Sequence, residues 1–287
     1  RRKYMTDELT DYAVDWLDER NEDQPFFMYL SHKAVHSQFQ PAERHEGLYQ
    51  EEAIVYPPSF DTPNYGTPEL PTGSADSEPL RGRDYYGQRR IPDWVKQQRE
   101  SWHGVDYMYH GDIDFEKFFQ RYTETLMGID DSVGAVLDYL DANGLAEDTL
   151  VIYMGDNGFS FGEHGLIDKR HFYEESAKVP LLVRWPSRLQ GGAPIESLVQ
   201  NIDIAPTILE AAGLSMPTQM QGASFIPLFS REEIPWRDRI FYEYYWEMDF
   251  PQTPTMFGIR TERYKYIRYH GVWDTNEFYD LQADPNE

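Results

Sequence analysis

Three segments of the chain repeat apolar side chains every three or four residues, which is the spacing of an amphipathic helix. They run from Thr6 to about Arg20, from about Phe115 to Asn143, and from Ile204 to Ala212. Thr6 is a suitable amino-terminal cap, and a glycine follows the second and third segments, as is common where helices stop. We therefore predict a helix at each of these positions.

Short apolar runs lie between these helices and predict buried strands. They are residues 26–31 (FFMYLS), 149–154 (TLVIYM) and 179–185 (VPLLVRW). Strands that alternate with helices are typical of a mostly parallel sheet. The sequence therefore predicts an α/β domain over residues 1–222, in which helices flank a mostly parallel sheet.

After Gly222 the pattern changes to short aromatic runs, which favour antiparallel strands. These runs are residues 239–246, 257–261, 264–269 and 277–281. We predict a small antiparallel subdomain over residues 223–287.

Residues 41–110 follow neither pattern, because they are rich in proline and tyrosine and poor in periodic apolar stretches. A structureless stretch of this length is uncommon inside a compact domain, so we interpret it as a functional excursion with short helices. Its candidate pocket-wall residues are Tyr85, Tyr86, Trp94, Trp102 and Tyr107, and those of the subdomain are Tyr244, Tyr245, Trp246 and His270. Packing onto the core explains any one of them equally well.

Composition narrows the possible functions. The 287 residues carry 26 Lys and Arg against 50 Asp and Glu, a net charge of −24, which argues against binding a nucleic-acid backbone. Aromatic residues make up 15% of the chain, which excludes disorder. The chain has no apolar run long enough to insert into a membrane as a helix. It also has no Cys, which excludes disulfides, thiolate metal sites and a Cys nucleophile within these residues.

The first candidate site is Asp156-Asn157-Gly158, directly after the run at 149–154. Asn-Gly is a common turn dipeptide, so a plain turn is one interpretation. The alternative is a hard-cation site, because Asp and Asn both offer oxygen ligands and ligands bind outside the carboxyl ends of such strands. Ca²⁺ takes about 6–8 oxygen ligands, so others must come from elsewhere.

The second candidate site is the polar, glycine-flanked segment 162–171 (GEHGLIDKRH). One interpretation is a solvated surface loop, too polar to belong to a core. The other is an anion clamp, with Lys169 as a point charge and Arg170 and His171 as directional donors.

His32 and His36 form an H-x₃-H pair after the run at 26–31. On a helix this spacing would present two imidazoles to Zn²⁺. Because the pair follows a predicted strand, the spacing is weak evidence for a metal, and an ordinary loop role remains open for each His.

Taken together, these segments resemble the formylglycine-dependent sulfatases of the alkaline phosphatase superfamily, most of all N-acetylglucosamine-6-sulfatases and mucin-desulfating sulfatases. The matching stretches are residues 26–45, 128–186, 197–214, 258–269 and 278–287. The resemblance implies an alkaline-phosphatase-like fold and a sulfated carbohydrate as substrate.

The resemblance also implies roles for individual residues. Asp156 and Asn157 match ligands of Ca²⁺, with Mg²⁺ as an alternative. Lys169 matches the lysine that holds the sulfate oxygens and can assist the leaving oxygen. His36 matches the histidine that contacts the sulfate and can protonate the leaving alcohol. Further substrate contacts are expected at Arg170, His171 and His164.

The same resemblance implies parts that are not matched here. The family's nucleophile is a formylglycine made from Cys or Ser, and we assign it to no residue of the matching stretches. The family's first Asp pair for the metal has no counterpart in those stretches either. The chain begins Arg-Arg-Lys, and we see no hydroxyl beside a plausible base in the pattern. We expect the nucleophile on a missing amino-terminal part, an inactive fragment in isolation, and a periplasmic or extracellular parent enzyme.

Two other functions stay open. The parent could be a phosphate- or phosphonate-ester hydrolase of the same superfamily. The two-metal members usually carry His at the position of Asn157, so the Asn favours a site for one hard cation. It could also be a catalytically dead carbohydrate-binding relative. The upstream sequence discriminates among the three. A Cys or Ser in the formylglycine motif supports a sulfatase, a Thr or Ser in a metal-binding context supports a phosphatase, and neither supports a binding protein.

Overall fold

A computed structural model describes residues 3–60, 92–105, 114–192, 194–230, 232, 234–271 and 275–287. The chain divides into two compact units. The first comprises residues 1–55, 114–152 and 183–192, and the second comprises residues 56–113, 153–182 and 193–287. The sequence-based boundary at residue 222 lies within the second unit and stays a prediction.

The α-helices and strands within the described residues number five and six. The helices are α1 (Met5–Glu19), α2 (Asp93–Arg99), α3 (Phe115–Ala142), α4 (Glu174–Ala177) and α5 (Ile204–Ala211). The strands are β1 (Val151–Met154), β2 (Leu181–Arg184), β3 (Arg239–Tyr244), β4 (Met256–Thr261), β5 (Tyr264–Tyr269) and β6 (Glu277–Asp280). The three predicted helices are therefore confirmed as α1, α3 and α5.

In the first unit, α1 packs against α3. The buried face of α1 includes Ala13 and Leu17, as its apolar spacing predicts. The Asp114 carboxylate accepts a hydrogen bond from the Lys117 N–H at 3.1 Å and caps the start of α3. None of the helices in the described ranges is both long and apolar enough to cross a bilayer.

Residues 26–31 are not the buried strand that their composition predicts. They lie outside every strand of the structure, and Phe27 and Tyr29 are 65% and 84% exposed. A strand must pair its backbone N–H and C=O groups with a neighbour, and these residues join no sheet within the described part of the chain.

The predicted, mostly parallel sheet is likewise not what the described residues form. Only β1 and β2 pair in the region 1–222, as a two-stranded sheet. The larger sheet is the predicted antiparallel one, with its four strands in the order β3-β4-β5-β6. The antiparallel prediction is confirmed.

Strand register sorts the side chains of this sheet onto two faces. One row across the four strands is Tyr242, Gly258, Ile267 and Glu277. Gly258 is required there, because a Cβ atom would lie 2.1 Å from Cδ1 of Phe172. Phe172 uses the space and stacks on Tyr242 with ring centroids 4.5 Å apart.

The core of the second unit joins this sheet to α2 and to residues near α4. Its buried members are Trp94, Val95, Leu166, Phe172, Tyr173, Met256, Ile267 and Tyr269. Trp94 is only 4% exposed and packs in this core, whereas Trp102 is 38% exposed. Tyr85, Tyr86 and Tyr107 lie outside the described residues. Packing is thus the role that the structure gives to Trp94.

Asp203, just before α5, is a second buried centre of this unit. It has no exposed surface and forms an ion pair with Arg237. Its carboxylate also accepts hydrogen bonds from the N–H groups of Gln200 and Ala223, each at 2.8 Å. These bonds satisfy the carboxylate and tie three segments to the start of α5.

Candidate functional site

Asp156-Asn157-Gly158 follows β1, as predicted, but it does not form the common Asn-Gly hairpin turn. Neither Asn157 nor Gly158 has a positive φ, which the common Asn-Gly hairpin turn requires at both positions. A Cβ atom at Gly158 would lie 1.9 Å from the carbonyl oxygen of Glu175. The glycine is therefore explained by close backbone packing, and the two side chains before it need their own explanation.

The Asp156 carboxylate is exposed and accepts a hydrogen bond from the Asn157 N–H at 2.9 Å. The Asn157 amide nitrogen donates to the Gly158 carbonyl oxygen at 2.7 Å. This bond fixes the orientation of the amide, so Oδ1 is the atom directed to other partners.

Lys169 is the partner of that oxygen. Its Nζ donates to Asn157 Oδ1 at 3.1 Å, and its side chain is half-buried. Two residues that the resemblance assigns to different roles, metal binding and sulfate binding, thus lie in direct contact.

The segment 162–171 is not the solvated loop that its polarity suggests. Leu166, Ile167, Asp168 and His171 have no exposed surface. Leu166 pairs with Gly104 in an isolated antiparallel bridge, and the Ile167 N–H donates to the His103 carbonyl oxygen at 2.8 Å. The segment can be buried because residues far away in the sequence satisfy its polar groups.

Asp168 is the polar centre of this segment. Its Oδ1 accepts from the Lys169 N–H and from Arg170 Nη1, both at 2.7 Å, and its Oδ2 accepts from Gln98 Nε2 at 2.9 Å. The Nδ1 atom of His103 lies 3.5 Å from Oδ1. Burial acts to raise the pKa of Asp168, but the side-chain interaction with His103 and the nearby charge of Arg170 lower it, and the pKa lies below its usual range.

Arg170 is held by groups of the protein itself. Besides its bond to Asp168, its guanidinium lies 3.2 Å from the ring centroid of Phe250, and its Nε is 3.7 Å from Glu247 Oε1. The side chain is 16% exposed. Two carboxylates therefore offset its charge, and its direct contact with a substrate stays a prediction.

His171 is buried beside Tyr173, and His164 is half-buried there. His171 Nε2 lies 3.0 Å from Ser160 Oγ, and the His164 ring stacks on Tyr173 with centroids 4.0 Å apart. Burial lowers the pKa of His171 to about 4 and that of His164 to about 3, so both are neutral at pH 7. Their substrate contacts stay predictions, and such contacts would require this segment to open.

Ser160 and His171 place a hydroxyl beside a base, a pair that the sequence pattern does not reveal. Neither residue has exposed surface. A nucleophile must reach its substrate, so in this arrangement the pair is a structural hydrogen bond.

The two histidines of the H-x₃-H pair, both in the first unit, have separate roles. His32 Nε2 lies 3.0 Å from Ser132 Oγ of α3, and burial lowers the pKa of His32. His36 is exposed, and its Nδ1 lies 2.8 Å from the Ser37 carbonyl oxygen. Because a carbonyl oxygen only accepts, Nδ1 is the donor, and Nε2 is the nitrogen that faces other partners. The pair is therefore an anchor and an exposed imidazole rather than a zinc site.

The donor set suits a hard cation but is incomplete. Asp156 and Asn157 offer oxygen ligands of the kind that Ca²⁺ and Mg²⁺ prefer. No group of three or more His, Cys, Asp or Glu side chains that could hold a metal occurs among the residues that the structure describes. The two residues fit as part of a site whose other ligands lie elsewhere.

Comparisons with known proteins match this chain to two family models and to individual relatives. The family model described as "Sulfatase" matches residues 2–214, and the model described as "N-sulphoglucosamine sulphohydrolase, C-terminal" matches residues 162–287. The N-acetylglucosamine-6-O-sulfatase of Bacteroides thetaiotaomicron is 30% identical over 320 residues, which cover 99% of this chain and 57% of the relative. The N-acetylglucosamine-6-sulfatase of Bos taurus is 32% identical over 245 residues, covering 84% of this chain and 38% of the relative.

A solved structure shares the fold. It is described as a complex with its substrate D-glucosamine-2-N,6-O-disulfate, and it matches with a TM-score of 0.78 and 29% identity. The match covers 100% of this chain and 65% of that one. The chain thus spans roughly half the length of the curated relatives that it matches.

Proposed function

The chain belongs to the sulfatase family of the alkaline phosphatase superfamily, and from that premise we propose that the full-length protein hydrolyses the sulfate ester of 6-sulfated N-acetylglucosamine or a related sulfated sugar. The observation that carries the proposal is the 3.1 Å bond between Lys169 Nζ and Asn157 Oδ1. It joins a cation suited to sulfate oxygens to an oxygen suited to a divalent metal. Relatives described as N-acetylglucosamine-6-sulfatases support the choice of sugar.

Asp156 and Asn157 would hold one Ca²⁺ or Mg²⁺ ion. When bound, such an ion stabilises negative charge on the oxygens of the ester. The exposed Asp156 carboxylate would supply a charged ligand. The hydrogen bond from Asn157 Nδ2 to the Gly158 carbonyl fixes the amide, so that Oδ1 contacts Lys169 and would be the atom available to the ion.

Lys169 would bind the sulfate oxygens with its ammonium group. Sulfate hydrolysis moves negative charge onto the sulfuryl and leaving oxygens, so a fixed cation there lowers the barrier. The half-buried position of Lys169 strengthens that interaction relative to one in bulk water.

His36 would protonate the leaving sugar oxygen. With Nδ1 donating to the Ser37 carbonyl oxygen, the protonated ring presents its second N–H at Nε2. The same bond restrains the ring, so the donor keeps one direction. A sugar alkoxide is a poor leaving group, which is why proton transfer matters for this substrate class.

The nucleophile in this proposal is a formylglycine on a part of the protein that precedes this chain. Within the chain, one Ser heads an S-x-P-x-R spacing, Ser77-Glu78-Pro79-Leu80-Arg81, which lies outside the described residues. Ser77→Ala in the full-length protein separates the two sources. Unchanged sulfate release assigns the nucleophile elsewhere, and complete loss assigns it to Ser77.

The fold and location of the full-length protein are part of the same proposal. We propose an alkaline-phosphatase-like α/β domain with a mostly parallel sheet, of which β1 and β2 are members. We also propose that the full-length protein is periplasmic or extracellular. A full-length structure tests the sheet, and fractionation of the source cells tests the location.

The experiment for the activity measures sulfate release by the full-length protein from monosulfated sugars that differ only in sulfate position, with and without a chelator. We expect 6-O-sulfated N-acetylglucosamine to be preferred and the chelator to abolish turnover. Preference for a 2-O-sulfated uronate or an N-sulfate would overturn the sugar assignment. Faster release of phosphate or phosphonate from matched esters would replace the sulfatase by the rival hydrolase, and binding without turnover would indicate a carbohydrate-binding protein. Residues 1–287 alone should release no sulfate.

A further inference from the structure

We propose that Asp168 is a positioning residue for Lys169, because its buried carboxylate binds the backbone N–H of Lys169 and ties that residue to α2. The proposal rests on the function proposed above, in which Lys169 binds the sulfate group. It concerns a residue that contributes no contact to substrate itself.

The first step is the geometry around Lys169. The backbone N–H of Lys169 donates to Asp168 Oδ1 at 2.7 Å, and its carbonyl oxygen accepts from Ser176 Oγ at 2.6 Å. Its Nζ donates to Asn157 at 3.1 Å. The lysine is thus held at its N–H, its carbonyl and its side-chain tip, and Asp168 provides the first of these contacts.

The second step is the connection of Asp168 to the rest of the second unit. Gln98 of α2 donates Nε2 to Asp168 Oδ2 at 2.9 Å, and Arg170 Nη1 donates to Oδ1 at 2.7 Å. The Ser160 N–H donates to the Asp168 carbonyl oxygen at 2.8 Å. Through these bonds the direction in which Lys169 leaves the backbone depends on α2 and on the neighbouring arginine.

The third step is the strength of this arrangement. Asp168 has no exposed surface, so water cannot replace a lost partner. Removing one member of a buried charged network leaves its donors unpaired, which costs more than the loss of a solvated hydrogen bond. The lowered pKa of Asp168 keeps the carboxylate ionised at neutral pH, where ionised acceptors make the stronger hydrogen bonds.

Asp203 provides a matched comparison within the same unit. Like Asp168, it is a fully buried aspartate paired with an arginine, and its carboxylate is bound by two backbone N–H groups where that of Asp168 is bound by one. Its partners are Arg237, Gln200 and Ala223, and none of them is a proposed site residue. A general loss of stability should therefore appear at both aspartates, whereas an effect on Lys169 should appear only at Asp168.

The test compares Asp168→Asn, Asp203→Asn and Lys169→Ala in the full-length, metal-loaded protein, with sulfate release from the 6-sulfated sugar as the readout. Misplacing a catalytic group by about 1 Å lowers the rate by about 10²-fold. We expect Asp168→Asn to lower kcat by about 10- to 100-fold, with KM changed by less than about threefold. Asp203→Asn should leave kcat per folded molecule unchanged.

The double variant Asp168→Asn/Lys169→Ala separates positioning from a role of Asp168 by itself. If Asp168 acts through Lys169, the double variant should be no slower than Lys169→Ala, because residues that act as a unit are not additive. Multiplied losses, or equal losses in kcat at Asp168 and Asp203, would overturn the proposal.

A milder change covers the case in which Asp168→Asn does not fold. Gln98→Met removes only the bond to Oδ2 and keeps the charge, so it should lower kcat about 3- to 10-fold, and only when Lys169 is present. The same loss of kcat in the Lys169→Ala background contradicts the proposal. Absence of sulfate release by the wild type defeats the proposed function instead, which keeps the two failures distinct.

Discussion

Lys169 Nζ and Asn157 Oδ1 are joined by a 3.1 Å hydrogen bond between residues that lie 12 positions apart in the sequence. The bond links the segment after β1 to the segment before α4. An amide oxygen that receives an ammonium group can also ligate a cation, so the affinity of the metal and the placement of the lysine are coupled at this atom. The first two predictions follow from that coupling.

Asp156→Ala should weaken Ca²⁺ binding by the full-length protein at least about 10-fold and abolish metal-dependent sulfate release. The reason is that Asp156 supplies the negatively charged oxygen of the pair, and charged oxygen ligands dominate affinity for hard cations. Calorimetric titration with Ca²⁺ measures the change. Asp138→Ala, which alters an exposed aspartate of α3, is the control and should leave the affinity unchanged. Equal affinity of wild type and Asp156→Ala would remove Asp156 from the metal site.

Lys169→Ala should lower kcat by about 10²–10³, the usual loss when one stabiliser of developing charge is removed. Because Asn157 Oδ1 loses its ammonium partner, Ca²⁺ affinity should rise or stay constant rather than fall. Steady-state kinetics and the same titration measure the two effects. A fall in both kcat and Ca²⁺ affinity would mean that Lys169 supports the metal site and does not act on the sulfate.

How far the sequence predicts this structure depends on whether a feature is local. The helix α3 is predicted to within a residue because its apolar spacing, its cap and its glycine stop all lie inside the segment. Residues 26–31 carry an equally apolar run, yet they form no strand in the described structure, since pairing depends on a neighbour elsewhere in the chain.

The candidate site shows the same limit. Asp156, Asn157 and Lys169 can be proposed from residue type and resemblance, and the structure brings Asn157 and Lys169 together. The sequence around Asp168 does not reveal that its carboxylate is buried, because an aspartate in a polar segment is expected to be exposed to solvent. Its partner Gln98 lies 70 positions earlier, and only burial reveals that the carboxylate is a structural centre.

His36→Ala should slow substrates with poor leaving groups far more than activated aryl sulfates. Acid assistance contributes about 10²–10⁴-fold where the leaving oxygen is basic and little where it is not. A series of aryl sulfates whose phenols span several pKa units, together with the sulfated sugar, measures the change in sensitivity to the leaving group. Equal slowing across the series would assign His36 to sulfate binding instead of proton transfer.

His32 and Ser132 should contribute to stability and not to the chemical step. Their 3.0 Å bond fastens the segment that carries His36 to α3, and Thr10 of α1 donates to the same Ser132 hydroxyl at 2.6 Å. Ser132→Ala removes the partner of the half-buried His32 Nε2, whereas Thr10 keeps the Thr6 carbonyl oxygen at 2.7 Å, so the loss should be about 1–3 kcal/mol. Urea unfolding measures this loss, and Ser37→Ala, on the adjoining segment, is the comparison. A loss of kcat without a loss of stability in Ser132→Ala would contradict the anchoring role.

The lowered pKa of His164 predicts that the free energy of unfolding depends on pH. In the folded protein, burial and the nearby His171 and Lys265 lower the pKa of His164 to about 3, whereas its unfolded value is 6.5. Below pH 6.5 the unfolded state therefore binds a proton that the folded state does not, and stability falls as the pH falls toward the folded pKa.

Between pH 7 and pH 5, His164 alone should reduce the free energy of unfolding by about 2 kcal/mol. His164→Phe keeps an aromatic ring against Tyr173 but cannot titrate, and the His164 Nε2 it removes has no hydrogen-bond partner in the described residues. From pH 7 to pH 5 the free energy of unfolding of the variant should therefore fall by about 2 kcal/mol less than that of the wild type. Urea unfolding of the full-length protein at both pH values measures the two changes. His270→Phe, at an exposed histidine, is the control for replacing a histidine by phenylalanine. If His164→Phe and wild type lose the same stability, His164 is not held neutral by burial.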